Sequence, residues 1–465
     1  MGQRATHDSS SVTQDLVRQA LRHHQAGELS EAEQIYLQAL AIDPQHPDAL
    51  HLLGMVAYQT GRDEAALDLI RKAIAIKGDA ASYHSNLGNV LQSQGKLADA
   101  GVCYQRALVL KPDLAEAHLN LGNIFKSQGD VDSSLACYRR ALALNPSSAE
   151  ADVAESMALL LKGDFASGWK NFKRRWQTKE YDTQMRTNAQ PLWKGEQLAS
   201  RRLLIWGEQG IGDEIMFAGL LPDVIRAGNR CVLDCDARLQ PLFARSFPSM
   251  EVVSGVTPKN HPDLDIAAHL PSGSLPGLFR NSTAAFEATT SPYLVADPSA
   301  QSQFRARYAD GRKLVGLAWH TKNKKTGRIR SIDLALLAPL FDQPGVRWIS
   351  LQYGESGTLE EQARAAHAPV LVDPEVDQLS NIDDFAAQIA AIDLVITIDN
   401  STAHLAGALG VPTWVLLPFA PDWRWQMNRA DNPWYPTLRL FRQPKLGDWQ
   451  SVVREVASAL EQDAT

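Results

Sequence analysis

Only four cysteines occur in the 465-residue chain, Cys103, Cys137, Cys231 and Cys235, too few and too scattered for a disulfide-stapled fold. No cysteine or histidine cluster has metal-ligand spacing, so no metal site is expected. Basic residues are not in excess: 46 Lys and Arg against 53 Asp and Glu leave a net charge of −7, which argues against sequence-independent binding of nucleic acid. No apolar run approaches the roughly eighteen residues of a membrane-spanning helix, and the opening of the chain is polar. Neither a membrane span nor a secretory leader is expected, and the cytoplasm is the default compartment. The glycine spacing of a dinucleotide-binding fingerprint is also missing, which disfavours a nicotinamide cofactor.

A strict period is present instead. Gly27, Gly61, Gly95, Gly129 and Gly163 stand thirty-four residues apart. Ala32, Ala66, Ala100 and Ser134 follow at one fixed offset, Tyr36, Tyr104 and Tyr138 at another, and Pro44, Pro112 and Pro146 close three units. Small residues at fixed positions let paired helices approach closely. The pattern resembles the tetratricopeptide repeat, a helix–turn–helix unit that stacks into a solenoid and holds other proteins. A fifth unit from Ala151 departs from it, with Ser156 where Gly54, Gly88 and Gly122 stand and with Gly168-Trp169 and Arg174-Arg175-Trp176 at the small positions. It reads as a capping repeat that docks on the next domain.

Beyond about residue 183 the texture changes to short apolar runs alternating with amphipathic stretches. Strands are predicted at 202–206, 231–233, 265–267, 314–319, 347–351, 393–398 and 413–417, with a helix from Ile215 to Ala227. A Pro, Ser and Ala-rich segment near 291–303 marks a boundary. The expected organisation is a flexible segment 1–14, an α solenoid with its cap over 15–182, and two doubly wound α/β domains, 183–300 and 301–465, facing one cleft. In such sheets ligands bind beyond the carboxyl ends of the strands.

Two loops in those positions carry chemistry. The first, Gly207-Glu208-Gln209-Gly210-Ile211-Gly212-Asp213-Glu214, combines glycines that admit a substrate with two carboxylates at the start of a helix; Asp213 either faces the cleft or caps that helix. The second runs from Asp399 through Asn400, Ser401, Thr402 and His404 to Pro412, and offers a helix amino end suited to a phosphate, or an ordinary capped helix.

Gly210-Ile211-Gly212-Asp213 together with Asp399-Asn400-Ser401-Thr402-Ala403-His404-Leu405-Ala406-Gly407-Ala408-Leu409-Gly410-Val411-Pro412 resembles the heptosyltransferase-type glycosyltransferases, whose fold is the two-domain GT-B. Gly316-Leu317-Ala318-Trp319-His320, Arg330-Ser331 and Pro421-Asp422-Trp423-Arg424-Trp425 are similar to a bacterial branch that carries tetratricopeptide repeats. The resemblance spans nearly the whole chain.

It implies an inverting, metal-independent transfer of a sugar from a nucleotide-sugar donor to an acceptor hydroxyl, with no cofactor. By motif position Asp213 is the general base. Asp399, Asn400, Ser401, Thr402, His404, Arg330 and His320 fall on the donor side, where the leaving diphosphate needs positive partners. His404 is alternatively a core histidine. The cationic loop from His320 to Arg330, including Lys322, Lys324, Lys325 and Arg328, is alternatively a solvated surface. Asn400 stands where the branch more often has threonine. The Trp-rich stretch from Trp414 to Trp434 either packs or stacks on a ligand.

Asn86 and Asn120 share one repeat position and resemble two rungs of an asparagine ladder that grips an acceptor backbone; Leu52 and Ala154 interrupt it, and contacts between repeats are the alternative. The expected partner is therefore a protein acceptor selected by the repeats. A glycan acceptor, or a scaffold whose transferase half has decayed, are the competing readings.

Overall fold

The computed structural model of the chain describes residues 2–179, 181, 186, 188, 190–255, 264–289, 291–323 and 326–463, with side chains from Ser10 onward. It divides into two compact units, Met1–Glu155 and Ser156–Thr465.

The first unit is helical. It comprises α1 (Gly2–Gln25), α2 (Leu29–Ile42), α3 (Pro47–Gln59), α4 (Asp63–Ile76), α5 (Ala81–Ser93), α6 (Leu97–Leu110), α7 (Ala115–Ser127), α8 (Val131–Leu144) and the start of α9 (Ala149–Lys162). Helix α1 takes in residues 2–14 of the segment expected to be flexible. The periodic glycines Gly27, Gly61, Gly95 and Gly129 sit in the turns inside each pair at φ +81°, +76°, +74° and +77°, backbone that side-chain-bearing residues rarely adopt. Ala32, Ala66, Ala100 and Ser134 are fully buried, as are Tyr36, Tyr104 and Tyr138. A second glycine series makes room for those rings: a Cβ at Gly88 or Gly122 would lie 2.6 Å from the ring of Tyr104 or Tyr138.

The second unit begins before the expected 182, a position outside the described residues. The segment expected to be a capping repeat supplies part of its core. Helix α10 (Phe165–Phe172), followed by a 3-10 turn over Lys173–Gln177, buries Phe165, Trp169 and Phe172. Phe165 packs on Phe286, Trp169 packs edge-on against Trp423, and the Trp169 indole N–H donates to the Arg280 carbonyl at 2.9 Å. Large aromatics replace the small repeat residues because this surface meets α/β structure rather than another repeat.

Two parallel sheets follow. One contains β1 (Arg202–Trp206), α11 (Ile211–Ala218), α12 (Leu221–Arg226), β2 (Arg230–Asp234), α13 (Gln240–Ser246), β3 (Glu251–Val253), β4 (Ile266–Pro271) and α14 (Pro276–Phe279), with strand order β3-β2-β1-β4. The helix expected over 215–227 is broken in two: a Cβ at Gly219 would lie 2.9 Å from the Tyr293 ring, and Pro222 opens α12.

The other sheet comprises α15 (Pro298–Tyr308), β5 (Lys313–Ala318), α16 (Gly327–Arg330), β6 (Val346–Ser350), α17 (Ser356–Ala365), β7 (Val370–Leu371), α18 (Ile382–Ala390), β8 (Leu394–Ile398), α19 (Ser401–Ala408), β9 (Thr413–Leu417), β10 (Leu438–Arg442) and α20 (Trp449–Asp463), with order β10-β9-β8-β5-β6-β7. Strands β3, β7 and β10 have no counterpart in the predicted set. Helix α15 starts inside the segment read as a boundary, capped by Asp297, whose carboxylate accepts from Ala300 N–H at 2.8 Å. Strands β8 and β9 are buried along their whole length, which explains their unbroken apolar runs. Strand order reverses between β5 and β8 and between β1 and β4. Crevices open at such points.

Candidate functional site

A cavity of about 600 Å³ lies where the loops after β1, β5 and β8 come together, with the Asp422–Arg424 turn closing it. Close packing of two helices sets its floor. A Cβ at Gly212 in α11 would lie 3.0 Å from His404 Cδ2 and 3.6 Å from Ser401 Cα in α19.

Asp213 stands in the first turn of α11. Its Oδ1 accepts from Arg424 Nη2 at 2.5 Å, and its Oδ2 takes a long 3.4 Å bond from Gly210 N–H, so the capping role is present but weak. Burial pushes the Asp213 carboxyl up from the usual range, and Arg424 pulls it back. Glu214 does not share the cavity. It accepts from Asp236 N–H at 3.0 Å beneath Gly207, and burial pushes it to about 7. Glu208 is turned away as well: it is fully buried against Arg175, with bonds of 2.7 and 3.0 Å and a third of 2.7 Å from Gly273 N–H.

Asp399 directly follows β8, buried, with Arg330 Nη1 3.2 Å from its Oδ2; Arg330 Nη2 is 3.8 Å from Asp422. Burial raises the Asp399 carboxyl against the pull of Arg330. Arg424 also lies 3.3 Å from Asp422. Burial opposes the Arg424 charge, yet Asp213, Asp422 and Asp399 hold it above its usual range. Three carboxylates thus share two guanidiniums.

Asn400 is the cap of α19. Its Oδ1 accepts from Thr402 N–H at 3.0 Å, Ala403 N–H at 3.3 Å and the Thr397 hydroxyl at 3.0 Å. Two helix N–H groups expected to meet a phosphate are therefore occupied by the cap. Asn400 Nδ2 and Arg424 Nε are buried without a partner among the described residues. Ser401 lines the cavity, whereas Thr402 is buried in the packing of α19. His404 lines it too, with Nδ1 bonded to the Tyr435 hydroxyl at 2.9 Å and its ring stacked on Trp425 at 5.2 Å. Burial, reinforced by Arg424 and Arg330, holds it far below the usual histidine range, so it is neutral.

His320 is not in this group. It is exposed and lines a separate cavity of about 640 Å³ with Trp319, Lys322, Gln352, Tyr353 and Glu355. Gln352, which belongs to no sequence motif, ties that region together: its Oε1 accepts from Trp319 and His320 N–H at 3.0 and 2.8 Å. Its only sequence signal is its place just after β6. Lys322 and Arg328 are exposed, as a solvated charge run would be, and Lys324 and Lys325 lie outside the described residues. The tryptophans pack: Trp423 on Trp169 and Trp434, and Trp414 on Phe441. Among the described residues no group of three His, Cys, Asp or Glu side chains is gathered that could hold a metal ion, and no helix is long and apolar enough to cross a membrane.

In the solenoid the asparagines bond to neighbouring repeats. Asn86 Nδ2 donates to His51 Nε2 at 2.8 Å, and Asn120 Nδ2 donates to Asn89 Oδ1 at 2.9 Å. The Tyr104 hydroxyl donates to the same Asn89 Oδ1 at 2.8 Å. These contacts are the inter-repeat alternative.

Family models for the tetratricopeptide repeat match residues 23–88, 88–129 and 115–148, and residues 23–148 are tetratricopeptide repeats. Protein FlbA of Caulobacter vibrioides is 33% identical over 331 residues, covering 66% of this chain and 54% of FlbA. The chain thus spans about half the length of that relative. Tetratricopeptide repeat protein 7B of Homo sapiens is 36% identical over 68 residues, 15% of this chain and 8% of that protein. Among solved structures, pilF of Pseudomonas aeruginosa aligns with a TM-score of 0.37 and 17% identity, covering 48% of this chain and 87% of that one.

Proposed function

We propose that the α/β unit is a GT-B glycosyltransferase that moves a sugar from a nucleotide-sugar donor to an acceptor hydroxyl, and that the tetratricopeptide repeats select a protein as the acceptor. The observation that carries this reading is the meeting, in one cavity, of Asp213 from the loop after β1 with Asp399, Asn400, Ser401 and His404 from the loop after β8 and Arg330 from the loop after β5.

Asp213 takes the proton of the acceptor hydroxyl as that oxygen bonds to the anomeric carbon. The bond from that carbon to the donor phosphate breaks, and the nucleoside diphosphate leaves. A carboxylate raised by burial is a stronger base than one in water. Charge building on the leaving diphosphate is met by Arg330, by the spare amide N–H of Asn400 and by the partial positive charge at the amino end of α19, whose Thr402 and Ala403 N–H groups stay with the cap. His404 is neutral and serves as a hydrogen-bonding wall rather than a cation. The neighbouring cavity containing His320 and Tyr353 adjoins the same loop and suits the nucleoside portion of the donor.

The test is transfer to protein in a cell extract, followed by intact-mass change of the acceptor. Asp213→Asn is expected to abolish transfer while retaining donor binding. Unchanged turnover in that variant would remove Asp213 as the base, and failure of the wild-type chain to bind any nucleotide would favour a scaffold.

A further inference from the structure

Arg424 has two anionic claims on it. Its Nη2 is bonded to Asp213 Oδ1 at 2.5 Å, its Nη1 lies 3.3 Å from Asp422, and its Nε–H is buried with no partner among the described residues. The Asp213 bond reaches from the turn after β9 to the helix after β1, so it couples the two sheets. It also occupies a carboxylate oxygen that a general base needs free. A carboxylate held by a guanidinium accepts a proton poorly, because protonation would cost the ion pair.

Arg424 lines the same cavity as Arg330, Asn400 and Ser401. A diphosphate there would offer several oxygens in a geometry a guanidinium binds through two N–H groups, a stronger match than the single contact with Asp213. With Asp213, Asp399 and Asp422 sharing Arg330 and Arg424, no surplus guanidinium is at hand among these five groups. A diphosphate that pairs with the Arg424 guanidinium therefore competes with Asp213 for it.

We propose that Arg424 is a positioning residue that exchanges partners, holding Asp213 until a donor diphosphate draws its guanidinium away and frees the carboxylate to act on the acceptor. This rests on the donor-site reading above. It ties the strength of the base to the presence of donor.

Exchange of partners has a thermodynamic signature that a purely structural ion pair lacks. If the diphosphate must break the Arg424–Asp213 bond, removing Asp213 makes diphosphate binding tighter. The full-length chain is titrated calorimetrically with UDP, GDP, ADP, CDP and inorganic pyrophosphate, and with the matching nucleosides. Asp213→Asn is expected to bind the diphosphates about three- to tenfold tighter, as release of a mostly buried ion pair allows, with nucleoside binding unchanged. Arg424→Gln is expected to bind them more weakly than wild type, and adding Asp213→Asn to it is expected to bring no gain. Loss of the Asp213 charge favours any nearby anion, so the deciding result is that the gain seen in Asp213→Asn vanishes when Arg424 is Gln, or shrinks when it is Lys should the glutamine variant fail to fold; an equal gain in the double variant would overturn the exchange. Diphosphate binding in the wild type with no tightening in Asp213→Asn would overturn the exchange and leave the donor site standing. Absence of any binding by the wild type would overturn both.

Discussion

Gly212 of α11 lies directly beneath the imidazole of His404 in α19, at a distance where a single added methyl group would stand 3.0 Å from Cδ2. The ring has nowhere to retreat, being stacked on Trp425 and bonded to the Tyr435 hydroxyl. Gly212→Ala is expected to cost about 1–2 kcal/mol of stability through overpacking. It is also expected to lower the proposed sugar transfer, since Asp213 is the next residue. Thermal unfolding and transfer rate measured together check this; a variant with wild-type values in both would show that the helices separate freely.

Glu214 is the second carboxylate of the same turn and titrates near 7 because it is buried. A carboxyl raised in the folded protein contributes stability that is fully present below its ordinary value of 4.5 and is lost as pH rises through about 7. Glu214→Gln keeps an acceptor for Asp236 N–H and has no charge to bury. It is expected to raise the melting temperature at pH 8 and leave it nearly unchanged at pH 5. Equal shifts at both pH values would show that ionisation of Glu214 carries no cost.

His51 gives the opposite sign in the solenoid. It is buried, stacked on Tyr83 at 4.3 Å, and accepts from Asn86, and burial lowers it to about 4. Stability that depends on the neutral ring is present above its ordinary 6.5 and is lost as pH falls toward 4. The loss is on the order of 2–3 kcal/mol, each tenfold change in proton affinity being worth about 1.4 kcal/mol. Hydrogen exchange in α3 and α5, corrected for intrinsic rates, is expected to show protection falling across that window in the wild type and much less in His51→Gln. The same fall in both proteins would place the sensitivity elsewhere.

Gly122 faces Tyr138 so closely that a Cβ would lie 2.6 Å from the ring. Gly122→Ala is expected to destabilise the repeats by about 1–3 kcal/mol, although alanine is the better helix former. Urea unfolding followed by hydrogen exchange in α7 and α8 checks it; a more stable variant would mean the ring can shift.

The repeats were legible because the backbone of a turn is a local property: Gly27, Gly61, Gly95 and Gly129 announce a left-handed φ whatever surrounds them. Strands β8 and β9 were legible because burial on both faces writes an unbroken apolar run. Arg424 was not. It sits in a tryptophan-rich turn, and its importance lies in a partner 211 residues away. His320 stands on the same loop as Arg330 but lines the neighbouring cavity, since a strand end says which loop reaches a crevice and not which wall each side chain joins. Thr402 was expected to face a ligand, but the Asn400 cap takes its N–H and α19 packing buries its side chain.

The Arg175–Glu208 pair has a practical consequence. Both side chains are wholly enclosed, and Arg175 lies in the stretch that repeat periodicity assigns to the solenoid. Severing the chain at residue 182 to isolate the α/β region would strand Glu208 as a lone anion beside Gly273, a loss on the order of 3–5 kcal/mol. An isolated fragment begun at Ser156, where the compact unit starts, would keep its counter-ion.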